Sequence, residues 1–435
     1  MLLLHLSDIH FRREEIGTPM DPNCHLRNEL LRDAENMCQR LGKAPSAILI
    51  SGDIAYAAHA DEYAFALSWL EKLATNCGTT TESVFVIPGN HDVVRSMASK
   101  PMVQALHEQI KSTNPLFLDG VLRGLLLDSE TSRVLYAPLD EFNLFAGQFF
   151  CDVSAPMQTI ARRDLKLNDG STLRLTGLNS AIVSSHADKA GDLYVDPACF
   201  QIIRERGVEH VALCHHPFTW LKNGEVLKDH LNDVVRIQLF GHEHTSRIEQ
   251  HHDSVRISAS AAHPDRTEPG WEPGYNLIEL EVNNSGPERQ LIVTAHIRIW
   301  QSRPGQFRAK MKGDKDVFQQ KFSLDGWTAT PAQAAGTAST TESAHSEVDG
   351  PTVELQTAGR DPMDTLRNIS VRFFKLTFSQ KSAIAGKLGL LEDEDLNQPD
   401  FVRFRRVFER ARDRNLIGDL DTEITAATAM VSKNK

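Results

Sequence analysis

Eight polar residues that can bind metal ions or transfer protons recur at one kind of place in this sequence. Each lies in or beside a turn that directly follows a short apolar segment. Carboxylate, imidazole and amide oxygen groups together suit borderline divalent metals such as manganese, iron or zinc. In chain order the residues are Asp8, His10, Asp53, Asn90, His91, His215, His242 and His244.

Two pairs among these residues are separated by a single position. One pair is Asp8 and His10, and the other is His242 and His244. Side chains alternate along an extended segment, so both members of a pair point to one face and can chelate one ion. Asp53 is then free to bridge two ions. Two metals about 3.5–4 Å apart can clamp a phosphate and activate a water.

The segments that must position these residues read as strands of a layered α/β protein. Strand carboxyl ends in such a protein converge on one edge of a sheet, which is where sites are built. Helix-like segments lie between several of them, as at Tyr63 to Leu73. The five apolar strands predicted are Leu2 to Leu6, Ala47 to Ser51, Val84 to Ile87, Val211 to Cys214 and Val234 to Phe240.

Two further regions depart from this alternation. Residues 95–150 interrupt the strand pattern and predict a helical insertion that can cap the site. After His244, β-rich stretches follow one another without helices between them, which predicts antiparallel strands in a second sheet packed on the first. Those stretches are Ser254 to Ala259, Tyr275 to Val282 and Leu291 to Trp300.

Five sequence blocks resemble those of the calcineurin-like metallophosphoesterase family, and they occur in the family's order. This resemblance implies a four-layer α/β/β/α sandwich with a dinuclear metal centre. The blocks are Ser7-Asp8-Ile9-His10, Gly52-Asp53, Gly89-Asn90-His91-Asp92, His215-His216-Pro217 and Gly241-His242-Glu243-His244.

The resemblance also assigns the metal ligands. It implies two divalent ions, manganese, iron or zinc, with manganese preferred. One ion would be held by Asp8, His10, Asp53 and His244. The other would be held by Asp53, Asn90, His215 and His242.

A second group of residues is expected to act on the substrate. The resemblance makes His91 the acid that protonates the leaving oxygen, or a group that stabilises charge on the phosphoryl group. Asp92 follows His91 and is expected to orient its imidazole. Arg12 and Arg95 are candidates to bind a substrate phosphate bidentately. His216 is a further candidate for substrate binding, although it can instead shape the turn.

The sequence divides into a catalytic domain at 1–327, a linker at 328–361 and a helical domain at 362–435. The linker is rich in Ala, Thr, Ser, Gly and Pro and has no apolar periodicity, so it is expected to be flexible. In the last domain Phe401, Phe404, Phe408 and Ala411 follow helical spacing. A small all-α bundle is therefore predicted.

Four segments of this C-terminal domain carry a second resemblance: Phe373-Phe374-Lys375-Leu376, Ile384 to Leu391, Phe404-Arg405-Arg406 and Arg410-Ala411-Arg412. They resemble the death-fold-like effector-associated domains of bacterial conflict systems. The resemblance implies an adaptor that binds a protein partner carrying a matching helical domain. A plain helical bundle for dimerisation or stability is the alternative.

Composition limits the functions that remain. The formal net charge is −11, which gives no support to a broad nucleic-acid-binding face. The six cysteines are scattered without a CxxC pair, which fits a reducing cytoplasm better than a disulfide framework. No run of about 18 apolar residues is present, so no membrane-spanning helix is expected. The run Met1 to Leu6 is too short for a signal-peptide core.

The leading hypothesis is a dinuclear-metal phosphodiesterase that acts on a nucleotide and is recruited through its helical adaptor. A metal-dependent nuclease for DNA or RNA in a bacterial defence system is the first alternative. A non-catalytic interaction scaffold is the second. A protein phosphomonoesterase fits less well, because Asp92 replaces that branch's glutamate and Arg95 sits one position later. Family members often dimerise, so a homodimer is also considered.

Overall fold

The computed structural model describes residues 1–155, 158–197, 201–267, 270–285, 288–328 and 362–433. The linker predicted at 328–361 lies outside the described residues, apart from its first residue. The boundaries of the three predicted segments stay predictions.

The first sheet has seven strands and contains the N-terminus of the chain. Its strands are β1 (Leu2–Leu6), β2 (Ala47–Ile50), β3 (Val84–Val86), β10 (Gly274–Asn283), β11 (Gln290–Ser302), β12 (Gly305–Ala309) and β13 (Phe318–Ser323). Their order is β12-β11-β10-β1-β2-β3, and β13 also pairs with β11. The strands β1, β2 and β3 are parallel and every residue in them is buried, as expected for strands covered on both faces.

The second sheet has six strands: β4 (Ile160–Lys166), β5 (Thr172–Leu178), β6 (Val208–Cys214), β7 (Ile237–Phe240), β8 (Arg247–Gln250) and β9 (Val255–Ser258). Their order in the sheet is β4-β5-β6-β7-β9-β8. From β5 to β9 its neighbouring strands are parallel. This sheet packs face to face on the first sheet. The contact is close at Gly177, where a β-carbon would overlap Ile87 and press on Phe85.

The prediction for the three β-rich stretches after His244 was wrong in part. The strands β10 and β11 are antiparallel, but they extend the first sheet through the pairing of β1 with β10. The strand β9 joins the other sheet and runs parallel to β7. The segments therefore do not form a sheet of their own, because each completes a sheet that earlier strands began.

Helices flank the two sheets, and the fold class predicted from the sequence is confirmed. Residues 95–150 contribute five of these helices, α3 to α7. That this segment caps the site stays a prediction. The helices are α1 (Cys24–Leu41), α2 (Ala60–Asn76), α3 (Arg95–Ala98), α4 (Pro101–Ser112), α5 (Pro115–Leu127), α6 (Ser129–Tyr136), α7 (Asp140–Ala146) and α8 (Gly224–Val234). In the described ranges, no helix combines the length and the apolar character that crossing a bilayer requires.

The C-terminal module is a helical bundle with a hydrophobic core of its own. Its helices are α9 (Pro362–Phe374), α10 (Phe378–Lys387), α11 (Asp400–Asp413) and α12 (Ile417–Lys433). Phe373 lies at the centre of this core, with its ring 5.4 Å from that of Phe404 and 5.3 Å from that of Phe408. The helical spacing seen in the sequence around Phe404 thus marks the buried side of α11.

The module docks on the catalytic domain through α9 and α11. Arg405 of α11 forms a salt bridge of 2.9 Å with the buried carboxylate of Asp152. Beside it the ring of Phe150 packs edge-on against Phe408 at 5.8 Å. Phe150 adopts a left-handed backbone conformation, with φ of 55°, that is uncommon for a bulky residue. The docking contact is therefore built from specific side chains of both parts.

Candidate metal centre

Every residue predicted to bind metal lies just after the carboxyl end of a central strand. Asp8 and His10 follow β1, Asp53 follows β2 and Asn90 follows β3. In the second sheet His215 follows β6, and His242 and His244 follow β7. The strands β1, β2 and β3 are parallel, as are β6 and β7, so their carboxyl ends lie at shared edges. The face-to-face packing of the two sheets then brings the seven side chains together.

Five of the seven predicted ligands have positive φ angles. The values are 52° at Asp8, 52° at His10, 55° at Asp53, 69° at His242 and 54° at His244. An L-residue in this left-handed region costs on the order of 1 kcal/mol or more, and such strain clusters at functional sites. The turns after β1, β2 and β7 therefore accept backbone strain in order to aim these side chains inward.

Two glycines make room for this arrangement. A β-carbon at Gly89 would overlap the carboxylate of Asp53. A β-carbon at Gly241 would collide with the hydroxyl of Ser7 and crowd Asp8. The glycines in the Gly-Asn-His-Asp and Gly-His-Glu-His blocks are thus required by close packing around the ligands.

The first predicted ligand set surrounds the carboxylate of Asp8. His244 Nε2 lies 3.3 Å from Asp8 Oδ1, and His10 Nε2 lies 4.0 Å from the same oxygen. His10 Nε2 is also 3.2 Å from Asp53 Oδ2. The four predicted ligands of one ion therefore converge.

The second predicted set meets the first at Asp53. His215 Nε2 lies 3.3 Å from Asp53 Oδ2. It also lies 3.1 Å from Asn90 Oδ1, and His242 Nδ1 approaches that same oxygen at 3.1 Å. One oxygen of Asp53 thus faces ligands of both sets, an arrangement that suits a carboxylate shared by two ions.

Hydrogen bonds behind the ligands show that the residues fit a cation. His215 Nδ1 lies 2.8 Å from the carbonyl oxygen of Ser51, so this nitrogen must carry the proton. A neutral His215 then turns the lone pair of Nε2 towards the oxygens of Asp53 and Asn90. Asp8 Oδ1 is buried, 3.3 Å from Nε2 of His244 and 4.0 Å from Nε2 of His10. When no proton lies between these atoms, their facing lone pairs are stabilised by a shared cation.

The charges of the site suit the same conclusion. Burial opposes ionisation of Asp53, but the neighbouring His215 and His91 hold the pKa of that carboxyl well below its usual value. Burial lowers the pKa of His242 to about 3 and also lowers the pKa of His10. Anionic carboxylates and neutral imidazoles are the forms that bind metal ions.

His215 differs from the other histidines of the centre. Burial alone lowers its pKa, but the carboxylates of Asp53 and Asp8 outweigh burial and raise the pKa to about 9. A proton can therefore occupy the position at Nε2 that the second ion would take. Metal binding at this position must displace that proton.

His91 lies beside the first ligand set and is held by the backbone. Its Nδ1 is 2.7 Å from the carbonyl oxygen of Tyr56, so Nδ1 donates a hydrogen bond to that oxygen. The Nε2 atom is not used by this bond. Ligand atoms of His91, His10 and Asp53 lie within 4.8 Å of one another. Such a position suits a proton donor adjacent to the metal pair.

Asp92 does not make the contact expected from the sequence. Its buried carboxylate accepts hydrogen bonds from the backbone amides of Ala55 at 3.1 Å and Gly89 at 3.0 Å. It also accepts one from the hydroxyl of Tyr63 at 2.9 Å. The Tyr56 carbonyl, and not Asp92, orients the His91 ring. Asp92 instead ties the turn after β2 to the turn after β3, and a catalytic role for it stays a prediction.

Arg12 and Arg95 meet at Tyr56. The guanidinium carbon of Arg12 lies 4.1 Å from the centre of the Tyr56 ring, and that of Arg95 lies 5.8 Å from it. Arg12 is also bound to Asp265 at 3.1 Å. Arg95 Nη2 lies 3.2 Å from His91 Nδ1, which cannot accept a hydrogen bond while it donates to Tyr56. Arg95 therefore keeps donors available for a substrate, and its binding role stays a prediction.

His216 is buried behind the centre. Its Nδ1 lies 2.8 Å from Ser180 Oγ, and its Nε2 lies 3.2 Å from Asn90 Oδ1. Burial and the nearby His215 hold its pKa well below the usual value, so it is neutral. These contacts fit a residue that fixes Asn90, and the predicted binding of substrate by His216 stays untested.

Two aromatic residues lie at the site although the sequence did not predict them there. The ring of Tyr56 lies 5.0 Å from that of His91, and the ring of Trp220 lies 4.1 Å from that of His242. Both aromatic side chains are half-buried. Each comes three residues after a predicted site block, at Asp53 and Pro217, but sequence spacing alone does not mark an aromatic residue as part of a site.

Comparison with known proteins agrees with the geometry. Residues 1–246 match the sequence profile described as calcineurin-like phosphoesterase. This match covers more than half of the chain, and the chain belongs to the calcineurin-like phosphoesterase family. Residues 365–426 match a second profile, described as a GTPase-associated adaptor domain. Both resemblances drawn from the sequence are thereby confirmed.

A curated relative is the metallophosphoesterase-like protein YydB of Bacillus subtilis (strain 168). It is 24% identical over 256 residues, which is 56% of this chain and 48% of YydB. The chain therefore matches about half the length of this relative.

Solved structures with a similar chain course include GAP50 of Plasmodium, with a TM-score of 0.37 and 7% identity over 75% of this chain and 89% of that one. A double mutant of Vps29 from Entamoeba histolytica has a TM-score of 0.28 and 11% identity over 75% of this chain and 100% of that one. Neither TM-score is high enough to support an inference about function.

Proposed function

We propose that the chain is a dinuclear-metal phosphodiesterase that acts on a nucleotide substrate. The observation that carries this proposal is the position of Asp53 Oδ2, which lies 3.2 Å from a histidine of one ligand set and 3.3 Å from a histidine of the other. Two divalent ions bound there would neutralise the charge of the phosphodiester and lower the pKa of a water towards neutrality. Manganese is the first metal to test.

His91 supplies the proton that the leaving oxygen needs. The hydrogen bond from Nδ1 to the Tyr56 carbonyl fixes the ring, so the proton that can move is the one on Nε2. An alkoxide is a poor leaving group unless it is protonated, and an imidazolium N–H can supply that proton. The guanidinium of Arg95, adjacent to His91, is assigned to bind a phosphate oxygen, and its exposed donors support this assignment.

The choice of a nucleotide as substrate is supported by an aromatic residue beside the metal ligands. Tyr56 lies at the His91 end of the centre, and Trp220 lies at the His242 end. Trp220 offers a half-buried ring against which a base can stack, an interaction worth about 1–3 kcal/mol per base. The ring of Tyr56 is instead covered by the guanidinium of Arg12, whose carbon lies 4.1 Å from the ring centre. At the Tyr56 end, the exposed guanidinium of Arg95 adds positive charge beside His91.

The helical module is proposed to recruit a protein partner with a matching helical domain. The faces of α9 and α11 that meet the catalytic domain are occupied by contacts such as Arg405 with Asp152. Partner binding is therefore assigned to α10 and α12, where Asp419 of α12 is exposed. A cytoplasmic location stays the expectation drawn from the scattered cysteines.

The test is hydrolysis by the full chain loaded with manganese. A cyclic nucleotide, a generic aryl phosphodiester, single-stranded DNA and RNA are incubated in parallel, with EDTA-treated protein as the control. Metal-dependent hydrolysis of the cyclic nucleotide and the aryl ester is expected. Degradation of polymers without hydrolysis of the cyclic nucleotide would favour the nuclease alternative and a defence role. No hydrolysis of any substrate, with both ions bound, would favour the scaffold.

A further inference from the structure

Helix α5 exposes an unusual number of large apolar side chains. The exposed fractions are 86% for Leu116, 69% for Phe117 and 68% for Leu127. The opposite side of α5 is already used, because Leu118 and Leu122 are buried in the catalytic core. The exposed residues therefore form a second apolar face and are not the edge of the first.

The exposed residues form a stripe along the helix. Phe117, Gly120, Gly124 and Leu127 follow one another at spacings of three, four and three residues, which places them on one face. A β-carbon at either glycine would meet no atom within 4 Å. Another helix can therefore approach closely between Phe117 and Leu127. We call these four residues, with Leu116, the α5 stripe.

Charge on the flank of the stripe shows which partner fits. Asp119 and Arg123 lie four residues apart, on the same side of the stripe. Neither has an ion-pair partner within the described ranges of the chain. In a pair of helices related by a two-fold axis, the same flanks meet with opposite chain direction. Asp119 of one copy would then lie opposite Arg123 of the other, and the reverse, while Phe117 would meet Leu127.

We propose that the α5 stripe binds the same stripe of a second copy of this chain and forms an antiparallel, two-fold symmetric dimer. The face is self-complementary in all three of its features: a bulky residue at each end, space in the middle, and opposite charges at matched positions of one flank. A different protein would satisfy the apolar stripe without requiring this symmetric arrangement of charges. A single helix pair buries an area at the low end for specific interfaces, so we expect a reversible dimer with a dissociation constant on the order of micromolar.

The test is the mass of the full chain in solution, measured by sedimentation velocity from about 1 to 100 μM, the range in which such an equilibrium shifts. Wild-type protein should move from monomer towards dimer across this range. Phe117→Ser should remain monomeric throughout. Val226→Ser removes another exposed apolar side chain, on α8, and should leave the equilibrium unchanged. All these residues are exposed, so the fold should survive each change.

Reversal of the flanking charges tests the symmetry directly. Asp119→Arg and Arg123→Asp should each weaken association about tenfold, since each places like charges opposite one another twice in the dimer. The double variant restores opposite charges and should associate like the wild type. The proposal is overturned if the wild type is monomeric at the highest concentration. It is equally overturned if Phe117→Ser still dimerises, or if the double variant is no better than the single ones.

Discussion

The backbone amide of His91 donates a hydrogen bond of 2.8 Å to Oδ1 of Asp53. This bond fixes the carboxylate so that its other oxygen, Oδ2, faces His10 and His215. His91 is therefore proposed to have two roles. Its side chain protonates the leaving group, and its main-chain amide orients Asp53, the carboxylate proposed to bridge the ions. A substitution of the His91 side chain leaves this amide in place, so the two roles can be separated.

His91→Gln is expected to reduce kcat by about 10²–10⁴-fold with an alkyl leaving group, because the alkoxide then departs without its proton. The loss should be much smaller with a p-nitrophenyl ester, since nitrophenolate leaves readily unprotonated. Steady-state rates with both esters check this difference.

Metal content provides the control for this variant. Both ions should be retained in His91→Gln, because the amide bond to Asp53 is unchanged. His252→Gln, at an exposed position, should behave like the wild type. An equal loss with both esters, or loss of the ions, would contradict the role given to His91.

Arg95→Ala is expected to raise KM for a phosphodiester about tenfold or more with little change in kcat, because it removes a charge-assisted hydrogen bond to a phosphate oxygen. The exposed Arg95 has no carboxylate partner among the described residues, so stability should be unaffected. Arg32→Ala, on the exposed side of α1, is the matched control. An unchanged KM in Arg95→Ala would remove this residue from the substrate site.

Arg405→Ala should loosen the C-terminal module from the catalytic domain. The substitution removes the salt bridge of 2.9 Å between Arg405 and Asp152 and leaves the Asp152 carboxylate buried without a partner. Breaking such a buried pair costs about 3–5 kcal/mol of stability. Hydrogen exchange around Phe150 should accelerate in this variant.

Lys375→Ala is the matched control for the docking contact. Lys375 pairs with Glu71 across the same contact, but both side chains are substantially exposed, so a change of about 0–1 kcal/mol is expected. Equal effects of the two substitutions would show that the buried pair does not hold the module in place.

The stability of the module should depend on pH through Asp395. Burial alone raises the pKa of this carboxyl, but hydrogen bonds from Arg410 and Arg406 outweigh burial and lower the pKa to about 2. The folded module thus binds fewer protons than the unfolded chain between the two pKa values. The stabilisation is present above the ordinary pKa of about 4 and is lost as the pH falls towards 2.

Asp395→Asn removes this dependence and can be compared with the wild type by hydrogen exchange of α11. All five tryptophans precede residue 328, so fluorescence does not report on the module. The variant should be less protected than the wild type at pH 6, and the difference should shrink towards pH 3. A difference that stays constant with pH would contradict the account.

The strands that carry the site could be predicted from the sequence because their apolar runs are short, fully buried and followed at once by polar ligands. The run Leu2 to Leu6 and the residues Asp8 and His10 are one example. The pairing of the later strands could not be predicted, since the run that became β10 does not show whether it joins β1 or forms a new sheet.

The predicted ligands converge because their positions follow directly from the strand ends. Contacts between residues that are brought together only by the fold could not be predicted from the sequence. Tyr56 orients His91 with its backbone carbonyl, which any residue type possesses. Asp92 is next to His91 in sequence, yet its carboxylate turns to Ala55 and Tyr63. Neighbours in sequence therefore proved a poor guide to which groups touch.

The bridging position of Asp53 is tested most directly by counting metal ions per chain. Wild-type protein and Asp53→Asn are loaded with manganese, freed of excess metal and analysed by mass spectrometry for metal content, with turnover of an aryl phosphodiester measured on the same samples. Asp61→Asn, at an exposed site, is the control. The account predicts two ions in the wild type, fewer in Asp53→Asn, and a loss of turnover on the order of 10³-fold. Two ions and undiminished turnover in Asp53→Asn would contradict it.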